Sequence, residues 1–258
     1  MSADASESRR VPRGNTCEGV NAGILAHLAT LPADWNGARF LDLPCGRGEF
    51  MAAVRETYPG AEVKGADLAA DDGRPDLRKT DLSQPFRVFP EITFDVVTSI
   101  SGVMEFDNTL QFIRSCREHL RSDGLLIITN DNILTTRDRL SFLLLGRVRR
   151  FKLYSAPGEP TWKMVSIPNL VRGLEDGGFA IEKIFYTSAR PKEWLFLPVA
   201  LLLWLPLWLH LRREENLRRN AILAQMYPFR SLVCRHYVVV ARKVSNPRRA
   251  DLPTSVNS

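Results

Sequence analysis

The sequence FLDLPCGRGEF, residues Phe40–Phe50, contains a local pattern that is typical of one class of fold. A short apolar run ends in the acid Asp42 and leads into a turn with two glycines, Gly46 and Gly48, before a helix begins. In a parallel sheet, such a turn brings backbone N–H groups close to a small polar ligand, and a side chain in place of either glycine would block that approach. Tight turns favour glycine even where nothing binds. This turn alone therefore does not indicate a ligand, and further motifs along the chain are needed to support one.

The sequence beyond this turn repeats the order strand, helix, strand. A second short apolar stretch is closed by Asp67, at the position where a doubly wound nucleotide fold accepts hydrogen bonds from ribose hydroxyls. Further on, apolar runs alternate with an amphipathic helical pattern. The predicted elements are a second strand over Ala61–Ala66, a fourth over Phe94–Phe106 that runs into a turn, a helix from Phe112 with a stop at Ser122–Gly124, a fifth strand over Leu125–Thr129, a sixth over Phe179–Ala189 and a seventh over Arg235–Lys243.

Taken in this order, the motifs resemble those of the class I S-adenosylmethionine-dependent methyltransferases. The matching stretches are Asp42–Gly48, Asp67 with Leu68, Asp81 and Leu82 ahead of Pro85, Phe94–Ile100, and Phe112–Thr129. The resemblance implies an α/β fold: a doubly wound, mostly parallel seven-stranded sheet (Rossmann-like methyltransferase fold) with a hydrophobic helical insertion before the last strand. It covers a core of residues 16–189 and 235–243, and leaves 190–234 as the insertion.

The same resemblance implies that S-adenosyl-L-methionine (SAM) is the cofactor. Asp42 and the backbone of Gly46 and Gly48 would hold its methionine end. The other implied contacts are Asp67 to the ribose, Leu68 against the adenine, Asp81 and the backbone at Leu82 to the adenine, and Ser99 and Ile100 on the far side of the amino acid. For each acid alone, a role in capping a turn is the alternative interpretation.

Two positions depart from the family pattern. Pro44 stands where the family has its first glycine, and Phe106 stands where it often carries a histidine after the fourth-strand turn. A hydroxyl acceptor would still require a base, and Glu105 and Asp131 follow the fourth and fifth strands, at the edge where reacting groups cluster in this fold. Either could equally be a solvated loop acid. His27, His119, His210 and His236 are predicted to lie away from that edge, as surface or packed histidines.

The composition fits one domain with two appendages. With 258 residues, 45% hydrophobic and 25% charged, the chain can bury a three-layer core. Residues 1–15 and 244–258 are predicted to be disordered tails, and the amino end has no apolar core for a signal peptide. The four cysteines lack metal-type spacing, which predicts reduced thiols in a cytoplasmic protein and no metal site.

The net charge of +6 does not indicate nucleic acid. The basic runs Gly146–Lys152 and His210–Asn220 are not interleaved with the aromatic residues on which single-stranded bases stack. Each run instead follows an apolar segment, an arrangement that is compatible with contact with a membrane surface.

The second informative stretch is Trp194–Leu209, WLFLPVALLLWLPLWL, which contains sixteen consecutive uncharged residues. It is shorter than the roughly 20 residues of a membrane span, and the strands on either side are expected to pair in one sheet, so the chain must leave and return on the same side. Pro198 and Pro206 would start and kink a helix, with Trp204 and Trp208 on one face. The segment is therefore predicted to lie at a membrane interface, near the arginines that follow it, on the cytoplasmic face. A flap that buries itself on this domain or on a second copy is the alternative.

The sequence is compatible with three classes of function. The favoured one is a methyltransferase that acts on a lipid, a quinone or a lipid-linked glycan at a membrane surface. The second is a methyltransferase of a soluble small molecule, with the apolar segment as a lid or dimer contact. The third is a non-catalytic, cofactor-binding partner subunit. A nicotinamide dehydrogenase is disfavoured, because it would give no role to Asp81 or to the fourth-strand motif.

Overall fold

The computed structural model describes residues 11, 14, 16–71, 73–148, 151–157, 159, 162–189, 191–212 and 217–244. Of the two predicted tails, it therefore includes residues 11, 14 and 244. Within the two basic runs, residues 149, 150 and 213–216 lie outside the described residues.

A seven-stranded sheet forms the centre of the molecule, in the order β3-β2-β1-β4-β5-β7-β6. The first five strands pair in parallel, whereas β7 runs antiparallel to both of its neighbours, β5 and β6. The predicted fold class is confirmed. The strands are β1 Arg39–Asp42, β2 Glu62–Asp67, β3 Leu77–Lys79, β4 Phe94–Ile100, β5 Leu120–Asp131, β6 Phe179–Ala189 and β7 Cys234–Lys243.

Helices cover both faces of this sheet. Neighbouring residues of one strand point to opposite faces, so Val96 and Ile127 pack into one apolar cluster while Val97 and Ile128 pack into the other. The first cluster includes α1 and α2, and the second includes α3, α5 and the end of α8. The helices are α1 Val20–Leu28, α2 Glu49–Thr57, α3 Thr109–His119, α4 Thr136–Leu145, α5 Ile167–Asp176, α6 Pro191–Trp194, α7 Leu197–Leu211 and α8 Leu217–Met226.

The predicted boundary between α3 and β5 is wrong. The helix ends at His119, and Ser122–Gly124, predicted as a stop, lies inside β5. The reason is that β5 joins the sheet early: Leu120 pairs with Phe94, and the register then shifts before Leu125 pairs with Val96. A stretch that contains serine, aspartate and glycine therefore forms an irregularity within a strand rather than a loop.

The insertion between β6 and β7 consists of α6, α7 and α8. Because these two strands are antiparallel neighbours, the chain leaves and re-enters the sheet at one edge, as expected. Pro198 lies in the first turn of α7 and Pro206 lies inside the helix. Among the described residues, no helix has both the length and the apolar character that crossing a membrane demands.

Candidate functional site

The turn after β1 has the geometry that its glycines predict. Gly46 and Gly48 adopt left-handed backbone conformations, with φ of 53° and 85°, which L side chains rarely adopt. The turn also packs tightly on β2, because a Cβ on Gly65 would lie 2.7 Å from Cβ of Cys45. The backbone of the turn is thereby held against the carboxyl ends of β1 and β2.

Pro44 is accommodated by Gly102, which lies two residues after the end of the neighbouring strand β4. A Cβ on Gly102 would lie 2.3 Å from Cδ of Pro44, so the proline ring occupies the space that Gly102 leaves open. The neighbouring amides remain bonded: Leu43 N donates to Thr98 O at 2.8 Å and Cys45 N donates to Ala66 O at 3.0 Å. The missing donor of Pro44 therefore leaves the connections on either side of it intact.

Asp67 connects the glycine turn to the end of β2. Its Oδ2 accepts from Gly46 N and its Oδ1 accepts from Ala69 N, both at 2.9 Å. A carboxylate offers about four acceptor positions, so two backbone bonds leave it able to accept from ligand hydroxyls as well. The position fits the ribose contact implied for this residue.

An open cleft of about 830 Å³ lies beside this turn, at the carboxyl edge of the sheet. A volume of this size is within the usual range of about 300–1,000 Å³ for small-molecule sites. A smaller cavity of about 50 Å³, lined in part by Asp42, adjoins the same turn and shares Pro44, Gly46 and Ile100 with the cleft. The cleft is lined by Pro44, Gly46, Arg47, Asp67, Ala69, Ala70, Asp71, Leu77, Ile100, Ser101, Met104, Glu105 and Trp162.

The remaining residues implied for the cofactor lie at the ends of neighbouring strands. Leu68 is 65% exposed beside the cleft residue Asp67. Asp81 follows β3 and accepts from the amide and hydroxyl of Ser83, at 2.9 and 2.6 Å, while Leu82 is buried. Ser99 is fully buried, and its hydroxyl has no hydrogen-bond partner among the described residues. Neither Asp81 nor Leu82 is among the described residues that line the cleft.

Asp42 is a buried acid at the end of β1. Its carboxylate accepts from Thr98 Oγ1 at 2.6 Å, and 3% of the residue is exposed. Burial raises the pKa of Asp42 to about 7, and the bond from Thr98 offsets this only in part. A group with this pKa changes charge near neutral pH and responds strongly to a cation placed in the adjacent cavity.

The two candidate bases differ in their surroundings. Glu105 ends the 3-10 helix Val103–Glu105 and lines the cleft, where partial burial and the negative charge of Asp67 raise its pKa. Asp131 ends β5 and is buried, with Oδ1 3.3 Å from Nδ1 of His236. Glu105 therefore lies in the wall of the cleft, whereas Asp131 faces a histidine.

His236 is packed within a strand, as predicted, but it lies at the carboxyl edge of the sheet, so the prediction that placed it away from that edge is wrong. Because β7 is antiparallel, its beginning lies where the parallel strands end, and His236 pairs with Asp131 in the ladder. Its Nε2 lies 3.0 Å from Oγ of Ser101, a residue that lines the cleft. The direction of β7 is the signal that would have located this histidine.

Cys17 joins the same group from the segment before α1. Its sulfur, an Asp131 oxygen and a His236 nitrogen all lie within 4.8 Å of one another. Such donors also hold transition metals. Here, however, Nε2 of His236 lies 3.0 Å from the Ser101 hydroxyl, and Nδ1 lies within ion-pair distance of Asp131 at 3.3 Å but makes no hydrogen bond among the described residues. We therefore interpret the cluster as a network of polar side chains around the imidazole.

Comparisons with known proteins agree with this geometry. A sequence model of the methyltransferase domain family matches residues 19–184. No curated protein matches the chain. Among solved structures, an S-adenosylmethionine-dependent methyltransferase from Archaeoglobus fulgidus has 18% identity and a TM-score of 0.53, with 87% of this chain and 93% of that chain covered.

A second solved structure shares the fold at similar distance. It is a geranyl diphosphate methyltransferase with 12% identity and a TM-score of 0.51, with 86% of this chain and 77% of that chain covered. At these identities the likeness concerns the fold, while the sequence model extends over more than half of the chain. The chain therefore belongs to the methyltransferase domain family and is a class I S-adenosylmethionine-dependent methyltransferase.

Proposed function

We propose that this enzyme methylates an acceptor presented at a membrane surface, such as a lipid, a quinone or a lipid-linked glycan. The observation that carries the proposal is a large exposed apolar surface at the same edge of the sheet as the cleft. A methyl group on a sulfonium already has a good leaving group, so the protein chiefly has to orient the acceptor and exclude water. An acceptor with a long apolar part would be oriented by such a surface.

The apolar surface is built by two helices that are distant in sequence. We call it the apolar platform; it packs α4 against α7 and presents leucines such as Leu143 and Leu202, 77% and 75% exposed. Contiguous exposed apolar surface usually marks an interaction site with protein or membrane. The platform consists of Phe142, Leu143, Leu144 and Leu145 on α4, and Leu201, Leu202, Leu205 and Leu209 on α7.

The strand directions bring this platform to the same carboxyl edge of the sheet as the cleft. α4 follows the carboxyl end of β5, and the insertion with α7 follows the end of β6, which points the same way because β7 is antiparallel to both. The cleft opens at the carboxyl ends of β1, β2 and β4. Cofactor and apolar acceptor would therefore meet at one edge of the molecule.

The exposed face of α7 is its leucine face. Trp204 and Trp208 do share a face, with ring centroids 6.0 Å apart. That face is partly buried, because Trp204 packs edge-on against Phe229, and the guanidinium of Arg212 lies 3.9 Å from the Trp208 ring centroid. The residues to test for membrane contact are thus the leucines.

Vesicle flotation tests the proposal. Leu202, Leu205 and Leu209, each at least half exposed, would gain about 1 kcal/mol apiece on entering lipid. Replacing all three with serine is expected to lower partitioning onto anionic vesicles about a hundredfold, while SAM affinity stays unchanged. The matched control replaces the same leucines with phenylalanine, which keeps the apolar area and should keep flotation. Salt should weaken binding of the wild type without abolishing it, because the apolar contribution is not screened.

Two outcomes would contradict a membrane acceptor. The wild type could stay in the aqueous fraction at low salt. The serine variant could instead change from dimer to monomer with no change in flotation. The second result would identify the platform as a contact between copies of the chain and would favour a soluble acceptor.

A further inference from the structure

Ser101 occupies an unusual position in the wall of the cleft. It follows β4 with a φ of 59°, a left-handed conformation that is uncommon for serine. Its amide donates to the carbonyl and to the hydroxyl oxygen of Thr129, both at 3.1 Å, which fixes the backbone in this conformation. Its own hydroxyl lies 2.8 Å from that of Thr16. A non-glycine residue held in this region often belongs to a functional site.

Behind Ser101, two further side chains form a line into the core. Ser101 Oγ is 3.0 Å from Nε2 of His236, and Nδ1 of His236 is 3.3 Å from Oδ1 of Asp131. His236 is fully buried, and its Nε2 also lies 3.4 Å from the Thr129 hydroxyl. The line connects the cleft surface to a buried carboxylate through one imidazole.

We propose that Ser101, His236 and Asp131 form a proton relay, and that the acceptor group is a hydroxyl. The acceptor oxygen forms a bond to the methyl carbon, and the carbon–sulfur bond breaks with its electron pair moving to sulfur. The acceptor proton passes to Ser101 as the Ser101 proton passes to Nε2 of His236. The resulting imidazolium is stabilised by Asp131 and later releases its proton to water. This inference rests on the methyl transfer of the proposed function and adds the class of the acceptor atom.

In this relay Ser101 is the catalytic residue, because it meets the acceptor. His236 and Asp131 act through it and are positioning residues. The arrangement supplies a base although Phe106 occupies the place where the family often has a histidine. Glu105, which also lines the cleft, is the competing base, and replacing it with glutamine separates the two routes.

The relay requires His236 to be neutral before the reaction. The titratable groups that face its ring are Asp131 from β5 and Cys17 from the segment before α1. Burial by itself lowers the pKa of His236, but the nearby Asp131 carboxylate and Cys17 sulfur outweigh burial and raise it. Turnover should therefore rise with pH as the imidazolium loses its proton.

The first test measures transfer from methyl-labelled SAM into a total lipid extract from the cells that make the protein. Ser101→Ala and Ser101→Gly should each lower turnover about a hundredfold, with the dissociation constant of SAM changed less than about threefold. Ser115→Ala, a buried serine on α3 outside the cleft, should leave turnover unchanged. The labelled product should be a methyl ether, and Asp131→Asn should move the pH limb of turnover to lower pH.

The second test uses nitrogen NMR of the histidine rings in the protein without cofactor. His236 should carry its proton on Nδ1, and it should titrate above the ordinary value of about 6.5, with a lower value in Asp131→Asn. A proton on Nε2 of the neutral ring would overturn the relay. So would full turnover of both Ser101 variants, a Glu105→Gln variant that alone loses turnover, or an N-methyl product. If no label enters the lipid extract, the membrane acceptor is wrong, and the ring tautomer still decides the relay.

Discussion

Among single residues, Asp67 links the glycine turn to the position implied for the ribose, because its carboxylate accepts a hydrogen bond from the backbone of Gly46. Its two backbone bonds fix both oxygens, so the carboxylate is oriented before any ligand arrives. Charge-assisted hydrogen bonds of this kind contribute about 1.5–3 kcal/mol. The role of this acid can therefore be measured by removing it.

We expect Asp67→Ala to weaken SAM binding by about 1.5–3 kcal/mol in titration calorimetry, because hydrogen bonds from the ribose lose their acceptor. Asp71→Ala is the matched control, since Asp71 lines the same cleft but is not implied in the cofactor contacts. Equal losses in the two variants would indicate a general charge effect. An unchanged affinity in Asp67→Ala would remove this acid from the site.

Asp42 should make the stability of the ligand-free protein fall as pH rises. Its pKa is about 7 when folded, against about 3.9 unfolded, so between these values the native state binds more protons than the unfolded state. Stability linked to this group is then lost with increasing pH, up to roughly 4 kcal/mol across the window. Asp42→Asn still accepts from Thr98 and lacks the charge.

Chemical denaturation of both proteins from about pH 4 to pH 8 checks this, because other titrating groups contribute equally to each. As pH rises, the free energy of unfolding of Asp42→Asn should increase relative to that of the wild type. A difference that stays constant with pH would show that folding does not raise the pKa of Asp42.

At the scale of elements, α4 depends on its amino-terminal cap. The Thr135 hydroxyl accepts from Asp138 N at 3.1 Å and donates to the Asp138 carboxylate at 2.6 Å, both in a buried setting. We expect Thr135→Ala to cost about 1–2 kcal/mol of unfolding free energy, whereas Thr135→Ser keeps the hydroxyl and should cost less than half of that. Urea denaturation measures both. Because α4 carries half of the apolar platform, the alanine variant should also float less well; normal flotation would show that the platform does not depend on this cap.

At the scale of the whole molecule, the sequence predicted the fold well because its strongest signals are local. Asp42 and the glycines of the first turn, the acids after two further strands and the apolar fifth strand each leave a pattern within a few residues. The number of strands, the pairing of β6 with β7 in one sheet and the excursion between them were all confirmed. The end of α3 was missed because an irregular strand and a loop use the same small polar residues.

The candidate site was less predictable, because its members meet through tertiary structure. Cys17, Ser101 and His236 come from distant parts of the chain, and no spacing rule connects them. Their approach depends on the direction of β7, which hydrophobic patterning does not report. The platform has the same limitation: the leucines of α4 and α7 look identical in sequence whether they are buried or exposed, and only packing shows that Trp204 turns inward.

The position of β7 has a consequence for how the enzyme is made. This strand lies between β5 and β6 and is synthesised after both. Until residues 234–243 have left the ribosome, β5 and β6 lack the strand that pairs with both of them, and His236 is missing from the carboxyl edge. The nascent chain can form its glycine turn early and yet remain inactive. Insertion of this strand then closes the sheet and completes the proposed relay in a single event.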